Sequence, residues 1–315
     1  MSSGSGVDQP APLVTVVIPT VGRPELLRAI RSAAAQEDVS VDIVVVVDKA
    51  EAEVELPDDI HLEAQRVLWT GGGRGGSAAR NAGVHASTAP WVAFLDDDDE
   101  WLPGKLASQI ALASTIGRPH VVVAGRHLQV DAAGATESRP LPTRLIRPGQ
   151  TVSDYLFRRR RPAGGRASMY TSSLLCDRSL AESVAWDESL RRHQDWDWLV
   201  RAQARGDVGF AQVRDPVVRI QTGSSGSISA GKSWGDSLAW ATRVLLPLAP
   251  AQVTADFLAA QTLRYAVAAR SFRGVREVVA AIARTRAMPS IGPLLIACGG
   301  LLPRRTVERI MVRVR

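Results

Sequence analysis

Four aspartates, Asp96 to Asp99, follow the apolar run "WVAFL" at residues 91–95 and precede Trp101. Neighbouring carboxylates repel one another, so holding them at the tip of a buried strand is unfavourable unless a cation neutralises them. Mg²⁺ and Mn²⁺ suit such a place. They take one or two carboxylates and complete their shell with water and phosphate oxygens. In an extended segment alternate side chains share a face, so Asp96 and Asp98 point one way and Asp97 and Asp99 the other. The competing reading is a solvated acidic turn that caps the next helix.

A second acidic stretch is "RRHQDWDWLVR" at residues 191–201. A carboxylate at the start of a helix, among aromatic side chains, is placed to take a proton from a hydroxyl. Asp195 and Asp197 are two apart on a helix and do not share a face, so one of them points into a cleft. Trp196 and Trp198 either present a flat surface to a ring of a bound ligand or belong to the core. His193 either helps to bind that ligand or is a partly exposed residue near a helix start.

The loop "GGGRGGSAARNAG", residues 71–83, contains a G-x-G-x-x-A pattern at Gly73, Gly75 and Ala78. That pattern is a dinucleotide fingerprint when it follows the first strand of a sheet. Here it follows the third, and no Walker lysine is present. It reads as a connection whose Arg74 and amides lie near a diphosphate, or as a plain flexible link.

These groups need elements to hold them. "LVTVVIPT" (13–20), "VDIVVVVD" (41–48) and "WVAFL" are continuous apolar runs, the pattern of strands covered on both faces. "HLEAQRVLW" reads as a weaker strand. Between them lie helices over "GRPELLRAIRSAAAQ", with Pro24 in the first turn, and from about Ser77 to Ala86. Alternating strands and helices specify an α/β fold with a parallel sheet, and ligands in such sheets bind beyond the carboxyl ends of the strands. Pro19, Thr20, Asp48 and the aspartate run all fall at such ends. Farther on, "KLASQIALAST" and "QDWDWLVRAQARG" read as helices, and "HVVVAGRHLQV", "SMYTSSLLCDR", "VGFAQV" and "PVVRIQ" as strands.

Composition narrows the class. The chain has 315 residues, 45% of them hydrophobic, and a net charge of +6. That is enough for one large core with an appendage, and the basic excess suits phosphate-bearing partners. Cys176 and Cys298 belong to no CxxC pair, so neither a disulfide framework nor a zinc site is expected, and a reducing cytoplasm is the default. The polar stretch 1–12 has no signal-peptide character, and the apolar run "IGPLLIACGGLLP" is too short to span a bilayer.

Taken together, "VTVVIPTVGRPELLRAIRSAAAQ", "DIVVVVD", "GGSAARNAGVHASTAPWVAFLDDDDEWLPGKL" and "RRHQDWDWLVR" resemble an inverting glycosyltransferase of family 2 with the GT-A, Rossmann-like fold. The resemblance spans about residues 13 to 230. From about Trp234 the composition turns Ala- and Arg-rich and helical, which puts a catalytic domain over 13–232 and a basic helical region over 233–315. The resemblance implies a nucleoside-diphospho-sugar donor, a hydroxyl acceptor on a glycan or lipid-linked glycan, and Mg²⁺ or Mn²⁺ at an Asp-x-Asp element. By that resemblance Pro19 and Thr20 meet the nucleoside, Asp48 reads the base, and Arg80 and Asn81 lie near the nucleoside. Asp98 is the direct metal ligand with Asp96, Asp99 lies near the donor sugar, and Asp195 is the catalytic base. His193 and Trp196 fall on the acceptor side. Two positions depart from the family: "VVDKA" carries one acid where two are usual, and Gln221 stands where a histidine often supplies a further metal ligand.

Two other classes compete. One is a nucleotide-dependent oxidoreductase using the 71–83 loop. The other is a non-catalytic relative that binds nucleotide-sugars or glycans. Nucleic acid is not an expected partner, because no recognition motif accompanies "RRRRPAGGR" at 158–166. The helices expected over 255–289, broken near Gly274, are amphipathic and basic. They either pack as a bundle on the catalytic domain or lie on an anionic membrane surface at the inner face of the plasma membrane.

Overall fold

A computed structural model describes residues 13–131, 137–158, 167–222 and 233–298. The sheet is built from β1 (Leu13–Thr20), β2 (Ser40–Val47), β3 (Arg66–Trp69), β4 (Trp91–Phe94), β5 (Glu100–Trp101), β6 (His120–Asp131), β7 (Leu175–Asp177) and β8 (Val208–Thr222). Their spatial order is β3-β2-β1-β4-β7-β6-β8-β5. The first four strands are parallel, while β7 runs antiparallel to both its neighbours. The expected mostly parallel sheet is thus present, with antiparallel strands added on one side.

The apolar runs are explained by burial on both faces. Val16 and Ile18 of β1 face a core shared with Leu26 and Ile30 of α1 (Leu26–Ala34). Val17 faces the other way, onto Ala79 and Val84 of α3 (Gly75–Ala86). α3 lies close to the strand because residue 83 is glycine. A Cβ there would come within 2.3 Å of Val17 Cγ1. That approach brings Arg80, nearly one turn earlier in α3, towards the carboxyl ends of β1 and β4.

Several boundaries differ from the sequence reading. The first half of "HLEAQRVLW" closes a short helix, α2 (Asp58–Glu63), and only Arg66–Trp69 pairs as a strand. "SMYTSSLLCDR" forms one 3₁₀ turn, Thr171–Ser173, and then the three-residue β7. "VGFAQV" and "PVVRIQ" are one strand, not two. The pairing of β6 with β8 shifts register at Gly125 and Arg126, so Pro216 sits at a bulge where its missing N–H costs no ladder bond.

The remaining helices of the sheet domain are α4 (Lys105–Ala113), α5 (Val152–Phe157), α6 (Arg178–Ser183) and α7 (Gln194–Ala204). The C-terminal helices begin with α8 (Trp234–Trp240), which runs through a π turn (Ala241–Leu245) into α9 (Leu246–Leu248). Next, α10 (Ala251–Phe257) continues through a second π turn (Leu258–Leu263) into α11 (Arg264–Ala268). α12 (Phe272–Arg284) and α13 (Ile291–Cys298) complete the described chain.

The chain breaks at Ala269–Ser271, not at Gly274. Gly274 lies in the first turn of α12, against the Trp234 ring. Trp240, Phe257 and Val278 belong to the same core as Phe94, Phe157 and Trp198. These helices are therefore packed on the sheet domain through a shared core. The boundary near residue 232, the stretch 1–12, most of "RRRRPAGGR" and the basic end after residue 298 lie outside the described residues.

Candidate active site

Each carboxylate of the aspartate run has its own partners. Asp97 is buried, accepts a bond from Thr20 Oγ1 at 2.6 Å, and pairs with Arg23 Nη1 at 3.2 Å. Burial pushes its pKa up to about 6. Asp98 Oδ2 pairs with the same Arg23 nitrogen at 3.0 Å. Asp99 is buried between the Ser172 hydroxyl, which donates to Oδ2, and the Gln221 amide, which donates to Oδ1 at 3.0 Å. Burial, then the Asp96 charge, raise its pKa well above the usual carboxylate range. Asp96 is the most open of the four and pairs with Arg80 Nη2 at 2.6 Å.

Ser172 is the junction of this arrangement. Besides holding Asp99, its hydroxyl accepts from the Asp96 amide at 3.1 Å, and its carbonyl accepts from Trp101 Nε1 at 2.8 Å. Gln109 of α4 holds the same turn through the Ser173 carbonyl at 2.8 Å.

The first turn of α7 resolves the choice between its aspartates. Asp197 is buried, paired with Arg201 Nε at 2.7 Å, and accepts from Trp240 Nε1 at 3.0 Å. Asp195 lines the cleft instead. Its Oδ1 accepts from the Trp196 amide at 2.8 Å, and burial pushes its pKa up to about 6, partly countered by Arg80. Trp198 is core, stacked on Trp186 at 5.5 Å. Trp196 lines the cleft and stacks on His193 at 4.7 Å. His193 adopts a left-handed conformation with φ 61° just before α7. Its Nε2 meets Ser237 Oγ at 3.2 Å, and burial, then Arg192, lower its pKa to about 4.

These side chains border one cleft of about 680 Å³, lined by Pro19, Thr20 and Asp48 from the strand ends, by Asp96–Asp99, and by 191–196. A model of the family described as Glycosyl transferase family 2 matches residues 15–175. The chain belongs to that family.

The sequence of the enzyme is 25% identical over 237 residues to the amylovoran biosynthesis glycosyltransferase AmsB of Erwinia amylovora, spanning 72% of this chain and 75% of AmsB. It is 32% identical over 204 residues to the succinoglycan biosynthesis protein ExoO of Rhizobium meliloti (strain 1021), spanning 62% of this chain and 57% of ExoO. The structure matches that of S. aureus TarS 1–349 in complex with UDP-GlcNAc, with a TM-score of 0.62 and 12% identity over 87% of this chain and 80% of that one. At that identity the likeness is one of fold, and the fold is GT-A. The expectation of a glycosyltransferase is met, and the oxidoreductase reading is set aside.

The glycine loop of the glycosyltransferase shows why in physical terms. Asp48 accepts from the amides of Arg74 (3.0 Å) and Gly75 (2.6 Å) and from the Thr70 hydroxyl. Burial alone would raise its pKa, but these donors hold it below the ordinary value. The amides that a dinucleotide phosphate would need are already turned onto a carboxylate. Arg74 reaches away to Glu188 at 2.9 Å. Asn81 is not among the cleft-lining residues. Its amide group clasps the backbone of Trp186 on both sides, at 2.8 and 2.9 Å. It orders the chain beneath Arg80, whose guanidinium lies 4.9 Å from the centroid of the Trp186 ring.

Among the described residues no group of three His, Cys, Asp or Glu side chains is placed to hold a metal ion. Gln221 donates its side-chain Nε2 to the Asp131 carbonyl at 3.2 Å. The charge balance nonetheless fits a cation. Four consecutive carboxylates, Asp96 to Asp99, meet two guanidinium groups, Arg23 and Arg80, at this end of the cleft. A hard cation with one or two carboxylates and substrate phosphate oxygens matches that set.

Sequence reasoning missed Arg23, Ser172, Arg192, Gln261 and Tyr265. Arg23 sits beside the noted Pro24, but nothing in the spacing ties it to residues 97 and 98. Gln261 and Tyr265 reach the cleft from the C-terminal helices, where no local pattern marks them.

Proposed function

We propose that this glycosyltransferase transfers a sugar from a nucleoside-diphospho-sugar to a hydroxyl of a glycan or lipid-linked acceptor, with inversion at the anomeric carbon. Cell-surface polysaccharide synthesis is the proposed setting, in keeping with AmsB and ExoO. The observation that carries this reading is that one cleft brings the strand-end acids and Asp195 together while Asp197 is locked into the core. The UDP-GlcNAc held by TarS, a protein of the same fold, supports the donor class.

Asp195 is the base. Its Oδ1 is engaged by the Trp196 amide, so Oδ2 takes the acceptor proton. The acceptor oxygen attacks the anomeric carbon on the face opposite the diphosphate. The bond from that carbon to the diphosphate oxygen breaks, and the diphosphate leaves with the electron pair. Pro19, Thr20, Asp48 and Asp96 border the nucleotide, and Asp99 orients the sugar from its Ser172 and Gln221 partners. Arg23 and Arg80, which line the cleft beside the aspartate run, would face the leaving diphosphate. Asp98, with Asp96, would hold Mg²⁺ or Mn²⁺, which when bound neutralises charge on the diphosphate. Trp196 and His193 offer a flat surface to the acceptor sugar.

No described helix is long and apolar enough to cross a membrane. The C-terminal region does expose Phe272 (93%) and Ile291 (73%) at helix starts and Met288 (80%) between α12 and α13, and Arg276 and Arg284 lie on the exposed face of α12. That mixture supports peripheral contact with an anionic membrane, at the cytoplasmic face.

A thermal-shift screen of nucleoside-diphospho-sugars with and without Mn²⁺ tests the reading. A donor that binds the native state raises Tm with concentration. NADH should give no shift. The reading is wrong if no nucleoside-diphospho-sugar stabilises the enzyme under either condition.

A further inference from the structure

The charged groups that line the cleft are not all matched in the same way. At the strand end, the guanidinium groups face carboxylates: Arg23 meets Asp97 and Asp98, and Arg80 meets Asp96. Elsewhere in the lining, Arg191 and Arg192 stand with Gln261 and Tyr265. Arg192 is fixed in place. Its Nη2 donates to the Tyr265 hydroxyl at 3.2 Å, and its guanidinium lies 5.2 Å from the Tyr265 ring centroid. Gln261 Nε2 donates to the same hydroxyl at 2.6 Å. Gln261 lies in the π turn Leu258–Leu263, an irregularity of the kind that recurs at functional sites. Arg191 is exposed and makes no hydrogen bond or ion pair with any described residue. Asp195 is the one carboxylate among the lining residues 191–196, 261 and 265, and it pairs with neither arginine.

Two consecutive arginines in one cleft lining add positive charge to it and attract an anion. Asp195 lines the same cleft as both arginines, so an anion held by them would bring a neighbouring hydroxyl of the same molecule towards the base. These residues also lie outside the span of the family match, 15–175.

We propose that Arg191 and Arg192, backed by Tyr265 and Gln261, form an anion subsite for the acceptor. The acceptor then carries a carboxylate or a phosphate close to the hydroxyl that is glycosylated. This rests on the glycosyltransferase reading of the same cleft and deepens it. The C-terminal helices would in that case set acceptor choice as well as cover the core.

The test uses the full chain and three small probes: methyl glucoside, methyl glucuronide and methyl glucoside 6-phosphate. Binding is measured by saturation-transfer NMR and calorimetry at low and high salt. At least one anionic probe should bind about tenfold or more tighter than the neutral one, the size expected from one charge-assisted contact. The preference should shrink with salt, and Arg191→Ala and Arg192→Ala should each remove most of it. Arg191→Lys should keep part of it. Which anionic probe is preferred tells carboxylate from phosphate. Equal affinities, no measurable binding of the anionic probes, or an anionic preference that survives Arg191→Ala overturns the proposal. The nucleotide-sugar shift in Tm, read on the same proteins, keeps the two ideas apart. Its presence with no anionic preference sinks the subsite alone, whereas its absence sinks the donor reading.

Discussion

Replacing Asp195 with asparagine should separate chemistry from binding and from stability. The change keeps the side chain's shape and its bond from the Trp196 amide. It removes the proton acceptor. General-base assistance contributes ~10²–10⁴-fold in rate, so turnover should fall by that factor. Donor affinity should change by less than about 1 kcal/mol, because the base does not hold the diphosphate.

The pKa of about 6 adds a pH signature. The base works only when ionised, so the wild-type rate is level above about pH 7. It then falls close to tenfold for each pH unit well below 6. That acid limb should vanish in Asp195→Asn.

Stability moves the other way. The folded-state pKa lies above the unfolded one, so the folded protein binds the proton more tightly, and its stability rises as pH falls through 6. Keeping this carboxylate ionised at pH 7 therefore costs up to about 3 kcal/mol, reduced where the cleft admits water. The asparagine variant should melt a few degrees higher at pH 7, and the gain should disappear near pH 4. Transfer assays with the donor found by thermal shift, run from pH 4.5 to 8.5, give the rate. Calorimetric melting gives the stability. Near-normal transfer by Asp195→Asn, or an acid limb that persists in it, would refute the assignment.

Asp98→Asn should abolish the Mn²⁺-dependent part of nucleotide affinity while the fold survives, measured by calorimetry with and without the metal; unchanged affinity in Mn²⁺ would remove Asp98 from the metal site. Asp197→Ala should do the reverse of Asp195→Asn. Stripping the partner from Trp240 and Arg201 should cost about 2–4 kcal/mol in chemical denaturation, with nucleotide affinity of the folded fraction retained. For the outer face of the C-terminal helices, the full chain should sediment with anionic vesicles at low salt and not with neutral ones. The double change Phe272→Ser and Arg276→Glu should weaken that binding by at least the ~1 kcal/mol expected per arginine near the surface; indifference of the full chain to vesicle charge would rule the contact out.

Much of the site was legible because its signals are local. The runs 13–20, 41–48 and 91–95 had to be strands covered on both faces, and in a parallel sheet that alone sends Thr20, Asp48 and the aspartate run to one edge. The α-helical spacing of Asp195 and Asp197 required that one face the cleft. Spacing did not say which. That was decided by Trp240 and Arg201, which claim Asp197 for the core, and Trp240 lies 43 residues away. The glycine loop misled for the same reason. Its pattern is local, but the destination of its amides is Asp48, on another strand end. "VGFAQV" and "PVVRIQ" looked separate because Pro216 breaks a ladder, and only the register against β6 shows a bulge that absorbs it. Arg23 on Asp98, Ser172 on Asp99 and Tyr265 beside Arg192 each join residues more than 70 positions apart. Residue type and periodicity determine which face of an element is buried. Which distant side chain meets a given carboxylate depends on how the sheet and helices stack, and no local spacing encodes that.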